Sequence, residues 1–144
     1  MVAQSLRFFI SGNDFLINNF VQNTDFDTDI VNKDKSNIIF DLINNILEIW
    51  HPQKEFTKYY DEDYELWYIN FLHSYYNDLI KYGAIDFELY YNCFYESQCN
   101  IEIFSSNLLK DFSNYNISIP FTCVKYTKKD MKALCKSNGI IYED

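Results

Sequence analysis

The fold is decided by residues 61–91, which read DEDYELWYINFLHSYYNDLIKYGAIDFELYY. Before Gly83, large apolar residues recur every three or four positions, which is typical of one face of a helix. After Gly83 they alternate with polar residues, as in a strand with one buried face. Gly83 itself suits the left-handed residue that ends many helices. The stretch therefore predicts a long helix over residues 61–82, followed by a strand over residues 85–91.

Further periodic segments flank this stretch on both sides. The expected strands are residues 5–10, 99–104 and 116–126, and the expected helices are residues 14–22, 36–50, 107–115 and 127–139. The helix at 36–50 rests on apolar residues at helical spacing between a Ser36 cap and the His51-Pro52 end. Residues 85–91 and 99–104 are close enough to form an antiparallel hairpin. Pro120 lacks a backbone donor, so it places the last strand at a sheet edge.

The order of these elements matches the split β-α-β-β-α-β pattern. We therefore predict one α+β domain over residues 1–144 with a ferredoxin-like antiparallel sheet of about four strands and helices on one face. Residues 36–50 add a helix to the first crossover, and a C-terminal helix is a second addition. If the helix at 36–50 packs elsewhere, the topology changes.

The chain is acidic, with 12 basic and 21 acidic residues and a formal net charge of −9. Five of the lysines lie from Lys125 onward, so residues 1–124 hold seven basic and 18 acidic groups. Such a surface repels nucleic acid and anionic lipid, and it attracts cationic partners. Acidity that serves solubility alone is the alternative. No apolar run approaches the roughly 18 residues of a membrane span, and we expect a cytoplasmic protein.

Residues that would carry catalysis or bind a metal are sparse. Cys93, Cys99, Cys123 and Cys135 include no Cys-x-x-Cys pair, so we expect structural thiols, no metal site and no cofactor. The only histidines, His51 and His73, have no carboxylate that the sequence marks as an orienting partner. The sequence therefore favours a protein that is not an enzyme.

Acidic residues and tyrosines are interleaved at the start of the long helix. Tyr side chains are enriched at protein interfaces because they combine a large rigid area with a polar tip. A large aromatic core would produce the same composition, which is 19% Phe, Trp and Tyr. The predicted partner-binding residues are Tyr60, Asp61, Glu62, Asp63, Tyr64 and Glu65.

Two blocks of the sequence carry a resemblance to a known group of proteins. Residues 8–15 read FFISGNDF, and residues 99–109 read CNIEIFSSNLL and lead on to a closing strand that ends at Tyr126. This layout is similar to small bacterial domains of unknown function that occur near polymorphic toxin genes as suspected immunity proteins. The chain departs from them by lacking a proline after the first turn and by the added helix at 36–50. The resemblance assigns no functional residue.

These observations predict a non-enzymatic acidic binding protein. Its most specific form is a toxin-immunity protein that neutralises a cationic, nuclease-type toxin by direct protein–protein binding. One alternative is a phage or mobile-element inhibitor that mimics DNA towards a host defence nuclease. Another is a small enzyme or ligand-binding domain with a pocket on the sheet, which a deep pocket holding His73 and a carboxylate would favour.

Overall fold

The computed structural model describes residues 1–34 and 36–144. Within them the chain forms six strands and five helices, which confirms the α+β class. In chain order they are β1 (Val2–Ser11), α1 (Ile17–Gln22), α2 (Phe26–Asp29), β2 (Ile38–Asp41), β3 (Ile46–Trp50), β4 (Thr57–Lys58), α3 (Glu62–Lys81), β5 (Asp86–Tyr95), α4 (Ser106–Phe112), β6 (Phe121–Lys125) and α5 (Lys128–Ser137).

β1 lies at the centre of one mixed sheet with the strand order β2-β3-β1-β5-β6. β5 pairs with β1 along its whole length, and β3 and the short β4 share the other edge of β1. These pairs and β2–β3 are antiparallel, whereas β5–β6 is parallel. The sheet therefore has more strands than the predicted four and is not antiparallel throughout. The ferredoxin-like arrangement is not confirmed.

The predicted helix at residues 36–50 is wrong, because this segment forms the β2–β3 hairpin. Ile38 of β2 lies opposite Ile49 of β3, and both side chains are buried. β3 then extends the sheet by pairing with β1. Ile43, which the helical spacing places in a buried stripe, is 93% exposed at the turn. The isoleucine-rich composition favours strands, since β-branched side chains pack well on a pleated surface.

The turn of this hairpin is specified by three polar residues. The Asp41 carboxylate accepts hydrogen bonds from the backbone N–H of Asn44 at 3.0 Å and from its side-chain amide at 2.8 Å. Asn45 follows with φ at +54°, a left-handed conformation that asparagine tolerates better than most residues. These local bonds reverse the chain at the point where a helix would have to continue.

Residues 99–104, all of which the structure describes, run irregularly instead of forming the predicted strand. Phe104 has φ at +60°, which interrupts an extended backbone. The free edge of β5 is taken by β6, whose Phe121 lies beside Tyr91. The carbonyl of Pro120 accepts a hydrogen bond from the Tyr91 N–H at 2.9 Å. The strand predicted at residues 116–126 is therefore confirmed at the sheet edge over the shorter range Phe121–Lys125, which begins after Pro120, although the hairpin is not confirmed.

The long helix is confirmed as α3, one residue inside its predicted bounds at each end. Asp61 caps its first turn by accepting a hydrogen bond from the Tyr64 N–H at 3.1 Å. Gly83 ends it with φ at +98°, and a Cβ atom there would lie 2.4 Å from the Asp14 carbonyl oxygen. Only glycine meets both conditions without strain.

The shorter helices are confirmed in type, with reduced lengths. α1 and α4 replace the expected helices at 14–22 and 107–115. In α5 the Thr127 side chain caps the first turn by accepting a hydrogen bond from the Asp130 N–H at 3.2 Å.

α3 covers one face of the sheet and forms the main core with it. Leu6, Phe8 and Ile10 point to this face from β1 and are fully buried. The Phe8 ring lies 5.7 Å from the ring of Tyr68 and 5.6 Å from that of Phe71. This aromatic layer fixes the helix against the sheet.

α5 lies against the opposite face, at one end of the sheet. Ala3 and its neighbour Phe94 alternate with the residues under α3, so they face the other way. Met131 and Cys135 of α5 pack against Ala3 in a second, smaller core. In the described part of the chain, none of the helices has the length and apolar character needed to cross a membrane.

Candidate interaction surface at the start of the long helix

Asp61, one of the predicted binding residues, forms hydrogen bonds to other residues of the protein through both carboxylate oxygens. One carboxylate oxygen caps α3 through the Tyr64 N–H, and the other accepts hydrogen bonds from Thr57 Oγ1 at 2.8 Å and Lys54 Nζ at 2.9 Å. Partial burial would raise the pKa of Asp61, but the bonds from Lys54, Thr57 and Tyr64 outweigh burial and lower it. Asp61 therefore holds the helix start in place as a paired carboxylate.

Glu62 and Asp63 occupy the next two positions and are exposed. Neither forms an ion pair with any residue in the described ranges 1–34 and 36–144. The positive end of the α3 dipole favours both carboxylates in this first turn. Their charges are thus available to a partner at no cost to an internal contact.

Tyr60 stands beside them with its side chain 57% exposed. Its φ of +66° is uncommon for a residue with a large side chain. The neighbouring Tyr59 is anchored, since its hydroxyl accepts a hydrogen bond from the Glu102 N–H at 2.6 Å and donates one to the Glu102 carbonyl at 3.2 Å. An open groove of about 480 Å³ runs along this segment and is lined by Thr57, Lys58, Tyr59, Tyr60, Asp61, Glu62 and Asp63.

Tyr64 and Glu65, the other two predicted contacts, are corrected, because both are buried under α3. Tyr64 is 0% exposed; its hydroxyl accepts a hydrogen bond from the Leu6 N–H at 2.8 Å and donates one to the Glu55 carbonyl at 3.1 Å. Burial raises the pKa of this hydroxyl to about 12. Glu65 is 2% exposed. Both share the face of the helix that packs on the sheet, and this periodicity was present in the sequence.

Glu65 is an unusual group for a core. Burial, and to a smaller extent the nearby carboxylates of Asp61, Glu62 and Glu102, raise its pKa to about 7. The Gln4 amide lies near enough to oppose this shift, but the two groups do not form a hydrogen bond of good geometry. Glu65 Oε1 and Gln4 Nε2 are buried without a hydrogen-bond partner among the described residues.

The tyrosines mostly serve the core, which contradicts their interpretation as an interface. Of the tyrosines in and around the long helix and the strand after it, Tyr60 alone is exposed. Four are buried, namely Tyr64, Tyr68, Tyr75 and Tyr91. The half-buried ones include Tyr59, Tyr76, Tyr90 and Tyr95. Most of the aromatic content is therefore explained by ring packing inside the molecule.

The acidic residues also do not gather into one patch. Asp25, Asp29 and Asp78 line a separate open cleft of about 420 Å³ around Tyr75. The Tyr75 hydroxyl donates a hydrogen bond to Asp29 at 3.1 Å. Burial and then the Asp29 carboxylate raise the pKa of Tyr75. The start of α3 is thus one of at least two acidic regions, distinguished by its exposed tyrosine.

Neither histidine is arranged as a catalytic base. His51 Nδ1 accepts hydrogen bonds from the backbone N–H groups of Gln53 at 3.1 Å and Lys54 at 3.2 Å. Burial and the Lys54 charge lower its pKa to about 4. His73 is exposed, with its ring 5.9 Å from that of Tyr115. His51 is a turn-stabilising group, and His73 does not lie in the deep pocket that would have favoured an enzyme.

Three of the four cysteines come together, which the sequence spacing did not indicate. The Sγ atoms of Cys93, Cys99 and Cys123 lie within 4.8 Å of one another, whereas Cys135 belongs to the smaller core under α5. The expectation that these are structural thiols stays a prediction, because their proximity alone does not test it. Their proximity depends on the parallel pairing of β5 with β6. The prediction missed it because it paired β5 with residues 99–104 in an antiparallel hairpin.

Comparisons with known proteins add no relative. The sequence matches no model of a protein family, and neither a curated protein nor a solved structure matches it.

Proposed function

We propose that this chain is a non-enzymatic binding protein that neutralises a cationic protein, most specifically an immunity protein against a nuclease-type toxin. The observation that carries the proposal is the pair Glu62 and Asp63. Both are exposed at the start of α3 beside Tyr60, and neither is paired within the described part of the chain. The resemblance of residues 8–15 and 99–109 to suspected immunity proteins supports the specific form of the proposal.

The electrostatics favour a basic partner surface. The net charge of −9 creates a field that attracts cationic proteins and accelerates their encounter. A nuclease presents Lys and Arg side chains to the phosphates of its substrate. Carboxylates that occupy those positions replace the phosphates and block access to nucleic acid.

The groove at this site suits such an interaction. An Arg side chain of the partner enters beside Glu62 and Asp63, where it can form charge-assisted hydrogen bonds with a carboxylate. Tyr60 supplies an exposed aromatic surface that packs on the stem of the same side chain. The Asp61 pairing with Lys54 and Thr57 keeps the loop in one conformation, which lowers the entropy lost on binding.

The state of His51 supports binding over catalysis. A group whose pKa is about 4 accepts protons weakly near neutral pH, where an efficient general base has a pKa close to the working pH.

The experiment pairs the protein with the product of the adjacent gene. Cells that express this product are tested for growth with the wild-type chain, with Glu62→Lys/Asp63→Lys, and with Asp27→Lys/Asp34→Lys. The last variant changes the net charge by the same amount at two other exposed carboxylates. We expect the wild type and the control to restore growth, and the first variant to associate about 10-fold more slowly at low ionic strength.

Two results would overturn the proposal at different levels. If both double variants associate like the wild type, or if association does not depend on salt, the surface at α3 is wrong. If the neighbouring product neither binds the wild-type chain nor is neutralised by it, the immunity function is wrong. Prophage genes in place of a toxin gene would favour the DNA-mimic alternative.

A further inference from the structure

Three cysteines from separate parts of the chain meet at one edge of the sheet. Cys93 on β5 lies directly beside Cys123 on the parallel edge strand β6. Cys99 returns to the same place from the irregular segment that follows β5. The Sγ atoms of Cys93 and Cys99 are 3.3 Å apart, and all three Sγ atoms lie within 4.8 Å of one another.

These separations suit a common metal ion. In a tetrahedral zinc–thiolate site, Zn–S bonds of about 2.3 Å place neighbouring sulfur atoms about 3.8 Å apart. Small side-chain rotations therefore bring the three sulfur atoms into the positions of metal ligands. Thiolates are also the ligands that Cu⁺ prefers.

Hydrophobic packing explains only part of this cluster. Cys93 is 0% exposed and behaves as a small buried apolar residue. Cys99 is half-buried and Cys123 is exposed, so Cys123 gains little from packing on an edge strand. The cluster thus extends from the core to the surface, where Cys123 is exposed to solvent.

We propose that Cys93, Cys99 and Cys123 form a binding site for a thiophilic d¹⁰ metal ion, Zn²⁺ or Cu⁺. Each sulfur that binds releases its proton to solvent, so the ion replaces up to three protons and no group is oxidised or reduced. The ion cross-links the irregular segment after β5 to β5 and to the edge strand β6. This inference does not depend on the proposed immunity function.

The test is a metal titration of the reduced full-length protein without oxygen. Co²⁺, Zn²⁺ and Cu⁺ are added separately, and sulfur-to-cobalt charge-transfer absorption reports thiolate ligation. Tetrahedral Co²⁺ bands that Zn²⁺ removes identify a four-coordinate zinc site, whereas binding of Cu⁺ alone identifies a three-coordinate copper site. In either case we expect one ion per chain and a higher Tm with the ion than without it.

Matched variants separate ligation from folding. Cys123→Ala removes an exposed ligand, so the core stays intact, and Cys99→Ala removes a half-buried one. We expect each to weaken binding by at least about 100-fold, because loss of groups outside the ligand shell already costs about 10- to 100-fold. Cys135→Ala removes a thiol in the other core and should leave affinity unchanged.

Three results would overturn the site. The first is that Cys123→Ala still binds the ion as tightly as the wild type. The second is that all three variants lose the same amount of metal affinity, and the third is that none of the three ions binds the reduced protein. If the air-exposed protein instead carries a Cys93–Cys99 disulfide and binds no metal after reduction, the cluster is a redox pair.

Discussion

The two faces of the sheet differ in what covers them. Leu6 and Phe8 of β1 are fully buried under α3, in a layer of contacting aromatic rings. Arg7 and Phe9 alternate with them on the same strand and are only partly buried. α5 covers the second face near Ala3 and leaves the rest of it without a covering helix in the described chain.

This difference separates stability from surface chemistry. The covered face tolerates few changes, because a close-packed layer of rings loses many contacts when one ring is removed. The second face carries charge directly on the sheet, where the Arg7 guanidinium lies 4.6 Å from the centre of the Trp50 ring and contacts Glu48 and Glu55. The losses of stability caused by substitutions on the two faces should therefore differ in size, in pH dependence and in salt dependence.

The largest expected effect is on the covered face. Phe8→Ala opens a cavity beneath Tyr68 and Phe71 and should lower the free energy of unfolding by about 3–5 kcal/mol. Phe9→Ala, on the same strand, removes a half-buried ring that lies 5.0 Å from Tyr90 and should cost about 1–2 kcal/mol. Urea unfolding of both variants measures the difference. Equal losses would mean that the second face is also covered.

A second effect on the covered face comes from the buried Glu65. Its folded-state pKa of about 7 lies above the ordinary value of 4.5. The stability that comes from this group is therefore fully present below about pH 4.5 and is lost as the pH rises through 7. Glu65→Gln stays neutral at all pH values, and we expect it to be more stable than the wild type by about 1–3 kcal/mol near pH 8.

The measurement is urea unfolding of both proteins between pH 6.5 and about pH 8. This window avoids His51, whose folded-state pKa of about 4 lies below its ordinary value of 6.5 and gives the opposite slope between those values. The wild type should lose stability across the window, while Glu65→Gln should not. Parallel curves would show that Glu65 is already ionised in the folded protein at pH 6.5 and that its pKa is not raised to about 7.

A smaller effect is expected for the charged cluster on the second face. Arg7→Met keeps an apolar stem but removes the bond to Glu48 at 2.5 Å and the contact with Trp50, and should cost about 1–2 kcal/mol at low salt. The loss should shrink as salt screens the wild-type pair. The control is Lys58→Met, whose ion pair with Glu143 is exposed and should contribute less than about 0.5 kcal/mol. Equal losses for Arg7→Met and Lys58→Met would contradict this ranking.

Much of the fold could be predicted because the local signals agree with the packing. In α3, the apolar spacing and Gly83 both predict one helix, and each acts in the structure as its pattern predicts. Asp61, which the sequence places in the first turn, is the cap that precedes it. The same agreement holds for α5 between Thr127 and Gly139.

Apolar spacing alone could not distinguish the β2–β3 hairpin from a helix, and the pairing of the last strand could not be predicted from local patterns. Residues 36–50 have the apolar spacing of a helix, but they form strands because β3 pairs with β1 and β2 pairs with β3. Similarly, residues 99–104 have strand-like composition, but β6 forms the hydrogen bonds to the free edge of β5. Long-range competition for a sheet edge leaves no trace in a window of ten residues.

The two candidate sites also differ in how much of each could be predicted from the sequence. The burial of Tyr64 and Glu65 could have been inferred, because both fall on the apolar face of α3 that also bears Tyr68 and Leu72. The meeting of the three cysteines could not, because it depends on the register of the β5–β6 pair.

The smallest expected effect concerns Tyr60, whose backbone conformation no sequence pattern marks. With φ at +66° and the side chain exposed, Tyr60 holds a conformation that asparagine adopts at lower cost. Tyr60→Asn should therefore raise the free energy of unfolding by about 0.5 kcal/mol, and Tyr60→Val, with a β-branched side chain, should lower it by about 1 kcal/mol. Urea unfolding of this pair isolates the backbone term, because both variants remove the same ring. If the protein uses Tyr60 for binding, both variants weaken association with the partner, although only Tyr60→Val loses stability. If both variants lose stability equally, the left-handed conformation does not determine which residue is most stable at this position.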